Sequence, residues 1–255
     1  NQKVGLIDEL DDPRLNGCWQ DDLTLGWVYQ FWISQDKEAL DQRISNNRNA
    51  HISSTEIATK TQLFSERYMI EWAVQNSLGT QWLAICEKNK WTPLVISQEI
   101  FSQLNHKRKV CGQSDFADQS LSSLEQLWCY FVEPSVLSFE NEDTIHSIRD
   151  IRILDPACGT GHFLIVMMEY LVAFYQEEAL HRNVSWDLHY ILEQIITHNL
   201  YGIDIDLKVV EVAKRALRLK LLRLCPNNRF SIETVISSNI QSFSGPTEWG
   251  SLWRS

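Results

Sequence analysis

The chain reads IRILDPACGTGHF from residue 151 to residue 163, and this stretch decides the fold. A short β-branched run ends on Asp155, two glycines follow at Gly159 and Gly161, and a long apolar segment begins at Phe163. Glycine lets the backbone turn sharply and approach a ligand closely. The first N–H groups of the next helix then face that ligand. The stretch therefore predicts a strand, a ligand-binding turn and a helix.

The same alternation continues downstream. A second predicted strand, Leu200–Ile203, ends at Asp204, and apolar residues at helical spacing follow over Leu207–Leu224. A third strand is predicted at Ser231–Ile236. Strands that alternate with helices indicate parallel βαβ units, so the fold class is α/β.

The chemistry of the turn favours one ligand class over another. A dinucleotide fold has a third glycine in the pattern G-x-G-x-x-G, and this chain has Leu164 there. A carboxylate at the strand end, Asp155, suits the cationic amino-acid end of S-adenosylmethionine and would repel a pyrophosphate. Asp204 is placed to accept hydrogen bonds from ribose hydroxyls. Asn239 either reaches the adenine amino group or simply ends a strand.

The residues before position 146 are predicted to be helical. Apolar residues cluster from Leu23 onward and again over Ser65–Asn76, where Tyr68, Met69, Trp72 and Ala73 fall at helical spacing. The polar interval Asp41–Thr59 is predicted to be a loop. We expect a helical N-terminal domain over residues 1–145 and the first part of the α/β domain over residues 146–255.

Composition excludes several classes of protein. The net charge of −10 argues against a chain that grips DNA by itself, because phosphate neutralisation supplies most of such affinity. The six cysteines form no CxxC pair, so we expect neither a metal site nor a disulfide framework, and we expect a reducing cytoplasm. The most apolar stretch, Phe163–Tyr175, is too short to cross a bilayer, so no membrane association is expected.

Several segments resemble one enzyme family. Asp155–Phe163 resembles motif I of the gamma-class DNA adenine-N6 methyltransferases, Gly202–Asp206 resembles their motif II, and Thr61–Ser65 resembles their motif X. The runs Leu25–Trp32 and Val74–Gly79 resemble one branch in particular. That branch contains the large methyltransferases of BREX phage-defence systems and the fused type IIG restriction–modification enzymes. The resemblance implies a Rossmann-like domain that binds S-adenosylmethionine, with motif X closing over the cofactor.

The resemblance also implies roles for individual residues. Asp155 would face the methionine ammonium, backbone N–H groups around Cys158–Gly161 the carboxylate, and Asp204 the ribose. Ile205 and Phe64 would pack on the adenine. The complete set of expected cofactor-binding residues is Thr61, Gln62, Phe64, Ser65, Asp155, Ala157, Cys158, Gly159, Gly161, Phe163, Asp204, Ile205, Asn239 and Ile240.

The sequence departs from the family at three points. Glu66 and Leu207 stand where the family often has proline, which we interpret as tolerated loop changes. The family's transfer motif, (Asn/Asp/Ser)-Pro-Pro-aromatic, is missing, because no Pro-Pro pair occurs in the chain. We therefore expect no catalytic residue in this chain, no activity from it alone, and an open sheet edge that promotes association.

The resulting hypothesis is the S-adenosylmethionine-binding portion of a site-specific DNA adenine-N6 methyltransferase. It would act in phage defence or restriction–modification, with double-stranded DNA bound by regions outside this chain and with partner proteins of the defence system. Two alternatives stay open at this point. One is a non-catalytic cofactor-binding or interaction module, and the other is a methyltransferase with a protein or RNA substrate.

Overall fold

The computed structural model describes residues 12–47, 51–93, 128, 130–132, 145–226, 236 and 238–242, without the side chains of residues 54 and 55. Within the described residues, four α-helices precede the first strand. The elements along the described residues are α1 (Asn16–Gln20), α2 (Thr24–Asn46), α3 (Ser54–Thr61), α4 (Arg67–Asn89), β1 (Ile153–Asp155), α5 (His162–His181), α6 (Leu188–Gln194), β2 (Leu200–Asp204), α7 (Leu207–Leu224) and β3 (Ile240–Ser242).

The three strands form a parallel sheet in the order β1-β2-β3. Ile153 lies opposite Leu200, and Gly202 lies opposite Ile240. Right-handed crossovers place α5 and α7 on the same face of such a sheet, where they contact each other. The expected α/β class is confirmed.

The third strand does not lie where the sequence placed it. Ile236 is helical, residues 231–235 lie outside the described residues, and β3 runs over Ile240–Ser242. A β-branched run is typical of a strand, but pairing with β2 decides which residues join the sheet. The prediction of Ser231–Ile236 as the strand is therefore wrong at Ile236.

One prediction about the N-terminal helices needs correction. The interval Asp41–Thr59 is not one loop, because α2 continues to Asn46 and α3 starts at Ser54. Ser53 and Glu56 form a capping box that starts α3. Polar composition alone does not distinguish such a helix start from a loop. Further along, Tyr68, Met69 and Trp72 are each about half exposed. The buried stripe of α4 lies on another face and comprises Ile70, Val74, Leu78, Trp82 and Ile85.

The main core lies between α4, α5 and the sheet. Trp82 stacks on Phe174 with ring centroids 5.2 Å apart, and both side chains are fully buried. Gln75 Nε2 donates a 2.6 Å hydrogen bond to the buried Tyr170 hydroxyl. One continuous hydrophobic cluster draws residues from both sides of position 146. The domain boundary itself stays a prediction.

A buried charge network joins the helical segment to the α/β segment. Lys220 on α7 is only 7% exposed, and its Nζ donates to Asp22 Oδ2 at 2.5 Å and to Glu169 Oε1 at 2.6 Å. Arg67 on α4 donates to the other oxygen of Glu169 at 2.5 Å. Arg223 forms a further ion pair with Asp22. Each buried charge has an opposite partner, which offsets the cost of removing it from water.

None of the helices in the described part of the chain has the length and apolar character needed to cross a membrane.

Candidate cofactor-binding site

A cavity of about 460 Å³ opens at the carboxyl ends of β1 and β2. Its volume falls within the range typical of small-molecule sites. Eleven of the fourteen expected cofactor-binding residues line it. They are Thr61, Gln62, Phe64, Ser65, Asp155, Ala157, Cys158, Gly159, Phe163, Asp204 and Ile205. The carboxyl ends of parallel strands are where α/β folds bind ligands.

The turn between β1 and α5 depends on both of its glycines. Gly159 has φ of 50° and Gly161 has φ of 85°, a region that side chains with a Cβ avoid. A Cβ on Gly161 would also lie 3.1 Å from Ala213 Cβ on α7. Gly161 therefore allows the turn to pack closely against α7, and it does not line the cavity.

Asp155 presents a partly buried carboxylate to the cavity. It accepts a 3.1 Å hydrogen bond from the Ala157 N–H. Burial raises the pKa of Asp155 despite that hydrogen bond, and the nearby negative charge of Asp204 raises this pKa further. No ion pair to Asp155 occurs within the described residues. A desolvated carboxylate in this position favours a ligand that brings its own positive charge.

Asp204 is held in place by two backbone groups. Its Oδ2 accepts from the Gly159 N–H at 2.9 Å, and its Oδ1 accepts from the Asp206 N–H at 2.9 Å. Each carboxylate oxygen has a second lone pair. Asp204 can thus fix the turn and still accept two further hydrogen bonds from a ligand.

The expected backbone donors for a carboxylate group are largely occupied. The Cys158 N–H donates to Ile203 O at 2.9 Å, and the Gly161 N–H donates to Cys158 O at 2.8 Å. The Gly159 N–H is bound to Asp204. Further donors near the cavity are the first N–H groups of α5, at His162 and Phe163, which have no partner inside the helix.

The loop between α3 and α4 supplies the opposite wall. Gln62 Nε2 donates to Asp206 Oδ2 at 3.2 Å, and Lys37 Nζ donates to the Gln62 carbonyl at 2.6 Å. These contacts hold Phe64 and Ser65 at the cavity. A segment about 90 residues before the turn therefore closes the same site.

The two proline departures are accommodated at helix starts. Glu66 directly precedes α4, and its carbonyl accepts from the Met69 and Ile70 N–H groups. Leu207 is the first residue of α7, behind Asp206, whose side chain accepts from the Lys208 N–H at 2.8 Å. Proline at a first helical position is favourable but not required.

Sequence reasoning missed His162. The side chain lines the cavity, is 6% exposed, and lies 5.3 Å from the Trp27 ring and 6.2 Å from the Phe64 ring, between ring centroids. Burial lowers the pKa of His162. A Cβ at Gly26 would come within 1.9 Å of His162 Nε2, so only glycine lets α2 approach this closely. A glycine inside an otherwise regular helical pattern was the available signal.

The structure does not bring Asn239 and Ile240 to the cavity, and this expectation is wrong. Asn239 Nδ2 donates to the carbonyls of Ile196 and Thr197 at 2.7 and 3.2 Å. Ile240 is buried in the core. The physical reason is the position of β3: Asn239 precedes the strand, whereas the cavity lies at the carboxyl end of the sheet.

Known methyltransferases are similar in sequence to this chain. A family model described as the MmeI DNA-methyltransferase domain matches residues 139–231. The adenine-specific methyltransferase BrxX of Escherichia coli is 26% identical over 220 residues, which cover 84% of this chain. The adenine-specific methyltransferase PglX of Lacticaseibacillus casei is 26% identical over 240 residues, which cover 92% of this chain. The resemblance to adenine-specific methyltransferases is confirmed.

The similarity concerns a small part of each methyltransferase. The matches cover 14% of BrxX and 17% of PglX. A third relative, named as a type II restriction enzyme and methyltransferase of Methanocaldococcus jannaschii, is 33% identical over 139 residues, covering 53% of this chain and 11% of that protein. The family match includes β1, α5, β2 and α7, the elements that carry both cavity carboxylates.

Proposed function

We propose that the cavity binds S-adenosylmethionine. The observation that carries this proposal is the convergence of two carboxylates, Asp155 and Asp204, with the Phe64 segment around one cavity. An amino-acid end with an ammonium and a carboxylate group, a ribose and an adenine are three parts of this cofactor. The desolvated carboxylate of Asp155 fits the amino-acid end, and the carboxylate of Asp204, which the backbone holds in place, fits the ribose. The apolar side chains at the cavity fit the adenine.

Each part has a proposed partner. Asp155 receives the methionine ammonium, and the first N–H groups of α5 receive the carboxylate. Asp204 accepts from the ribose hydroxyls, while Phe64 and the 42% exposed Ile205 pack on the adenine. The bound cofactor supplies an electrophilic methyl group. The protein's own residues orient it and limit the access of water.

We further propose that the chain is the cofactor-binding portion of a site-specific DNA adenine-N6 methyltransferase of a Rossmann-like fold, acting in phage defence or restriction–modification. The names of BrxX, PglX and the type II relative support this proposal. The net charge of −10 argues that double-stranded DNA is held by other parts of the enzyme.

Isothermal titration of the purified chain tests the ligand class. We expect S-adenosylhomocysteine and S-adenosylmethionine to bind, and NAD and ATP not to bind, because Asp155 repels a pyrophosphate. Preferential binding of NAD would refute the cofactor assignment. In a parallel assay with labelled methyl donor and adenine-containing duplex DNA, we expect no transfer, since the chain has no Pro-Pro motif. Transfer by the chain alone would require a catalytic group of another kind.

A further inference from the structure

A second cluster of reactive side chains lies away from the cavity. Cys86 stands in the last turn of α4, and Glu177 and His181 stand one turn apart at the end of α5. The Cys86 sulfur, a Glu177 oxygen and a His181 ring nitrogen all lie within 4.8 Å of one another. At 1.5 Å of rise per residue, the cluster is about 25 Å along α5 from His162. It therefore takes no part in the cofactor site.

Two members of the cluster are fully buried, and the third, His181, is partly buried against an aromatic ring. Cys86 and Glu177 are 0% exposed, and the His181 side chain is 13% exposed. The His181 ring stacks on Trp91 with centroids 5.1 Å apart and planes 5° apart, and Arg182 lies over the same indole at 5.0 Å. His181 Nε2 is 3.5 Å from Glu177 Oε1, and it makes no hydrogen bond within the described residues. The nitrogen thus faces the cluster without a close partner there.

The donor set matches the chemistry of one group of metal ions. A thiolate sulfur, an imidazole nitrogen and a carboxylate oxygen are the three ligand types that Zn²⁺ takes in proteins. Bond lengths of about 2.0–2.3 Å would require the three atoms to close in by on the order of 1 Å. Three protein ligands leave a fourth tetrahedral position for water or another donor.

We propose that Cys86, Glu177 and His181 form a binding site for a zinc-type divalent metal ion that ties α4 to α5. Burial and the charges of Glu177 and Glu178 raise the pKa of the Cys86 thiol. Binding forms a metal–sulfur bond and releases the thiol proton to solvent. The ligands lie up to 95 positions apart in the chain, which explains why cysteine spacing gave no sign of the site.

Cobalt titration of the purified, metal-stripped chain tests the proposal, because Co²⁺ bound to a thiolate gives a charge-transfer band in the near ultraviolet. We expect the band to grow to one equivalent and to disappear when Zn²⁺ is added. Cys86→Ala should lose it, and His181→Gln should weaken cobalt binding at least tenfold. Cys225→Ser, a matched control outside the cluster, should keep the full band.

Two outcomes of the cobalt titration would overturn the proposal: no band in the unaltered chain at excess cobalt, or a band that persists in Cys86→Ala. A second measurement covers the case in which the variants fail to fold. Zn²⁺ should raise the Tm of the unaltered chain by about 5 °C at saturating concentration, because it binds only the folded site. An unchanged Tm would equally refute the site. Titration with S-adenosylhomocysteine should give the same affinity with and without Zn²⁺.

Discussion

Each end of helix α5 carries one histidine, buried at the amino end and partly buried at the carboxyl end, but the two ends are built in different ways. At the amino end, His162 follows the Gly159–Gly161 turn and lies against Trp27 and Phe64. At the carboxyl end, His181 lies one turn from Glu177 and stacks on Trp91. The first end adjoins a cavity that opens to solvent, while the second is packed into the core between α4 and α5. One end therefore lies beside open space that can admit a ligand, and the other joins two helices.

This difference determines what each end tolerates. Around His162, most of the constraints act on the backbone, through positive φ angles and a helix contact that admits only glycine. Around His181, the constraints act on side chains that pack against each other. Changes at the amino end should therefore affect ligand affinity, and changes at the carboxyl end should affect stability alone. Four predictions test that separation.

The largest effect is expected for Asp204→Ala. Two ribose hydrogen bonds to a charged acceptor are lost, each worth about 1.5–3 kcal/mol, so affinity for S-adenosylhomocysteine should fall at least tenfold. The Gly159 N–H also loses its partner, which should loosen the turn. Isothermal titration measures the affinity, and circular dichroism checks that the fold survives. An unchanged dissociation constant would mean that the ribose binds elsewhere.

Gly26→Ala tests the contact between α2 and the start of α5. The new methyl group would meet His162 Nε2 at 1.9 Å, so the helices must separate or the ring must move. We expect a loss of about 1–3 kcal/mol in the free energy of unfolding, together with weaker cofactor binding. Gly17→Ala is the control, since nothing lies within 4 Å of its added Cβ. Equal stability of the two variants would contradict the proposed contact.

Trp91→Leu tests the opposite end. It removes the stacking on His181 and the cation–π contact with Arg182, so the free energy of unfolding should fall by about 1–2 kcal/mol. Affinity for S-adenosylhomocysteine should stay the same, because the site lies about 25 Å away along α5. Chemical denaturation and calorimetry give the two values. A parallel loss of affinity would show that the ends of α5 are coupled.

The smallest effect concerns pH. The folded-state pKa of Asp155 is raised above the ordinary value of 3.8, mainly by burial. Its charged form is needed to bind an ammonium group, so affinity should weaken a few-fold as the pH falls toward that raised pKa. The effect of Asp155 on stability has the opposite dependence on pH. Its raised pKa favours the folded state at low pH, and this contribution to the free energy of unfolding is lost as the pH rises above 3.8 through the raised pKa. Asp155→Asn should remove both dependences, and titrations across pH would reveal any that remain.

The amino end of α5 could be predicted from the sequence because its signals are local. Asp155, the two glycines and Asp204 each stand at a strand end or in a turn, where residue type reports backbone geometry directly. The motif X residues, such as Phe64, required the family resemblance, since no local pattern brings them to the turn. Asn239 was misplaced because the start of β3 depends on pairing with β2, which the sequence does not display.

The side-chain cluster at the carboxyl end of α5 could not be predicted, because its residues meet only when two helices pack together. Cys86 and His181 approach each other only because the buried stripe of α4 packs on α5, whereas Tyr68 and Trp72, which fall at helical spacing, lie on a half-exposed face. Two aromatic residues at helical spacing give the same sequence pattern whether their side chains are buried or exposed in the folded chain. Burial is decided by the neighbouring helix, which a single segment does not reveal.

The two backbone N–H groups that hold Asp204 have a consequence for the kinetics of ligand binding. A carboxylate already fixed by Gly159 and Asp206 needs no rearrangement when a nucleoside arrives, so association loses little conformational entropy at that position. Nucleosides with and without a 2′-hydroxyl should then bind at similar rates. They should differ in how long they stay bound, so the dissociation rate would carry the discrimination.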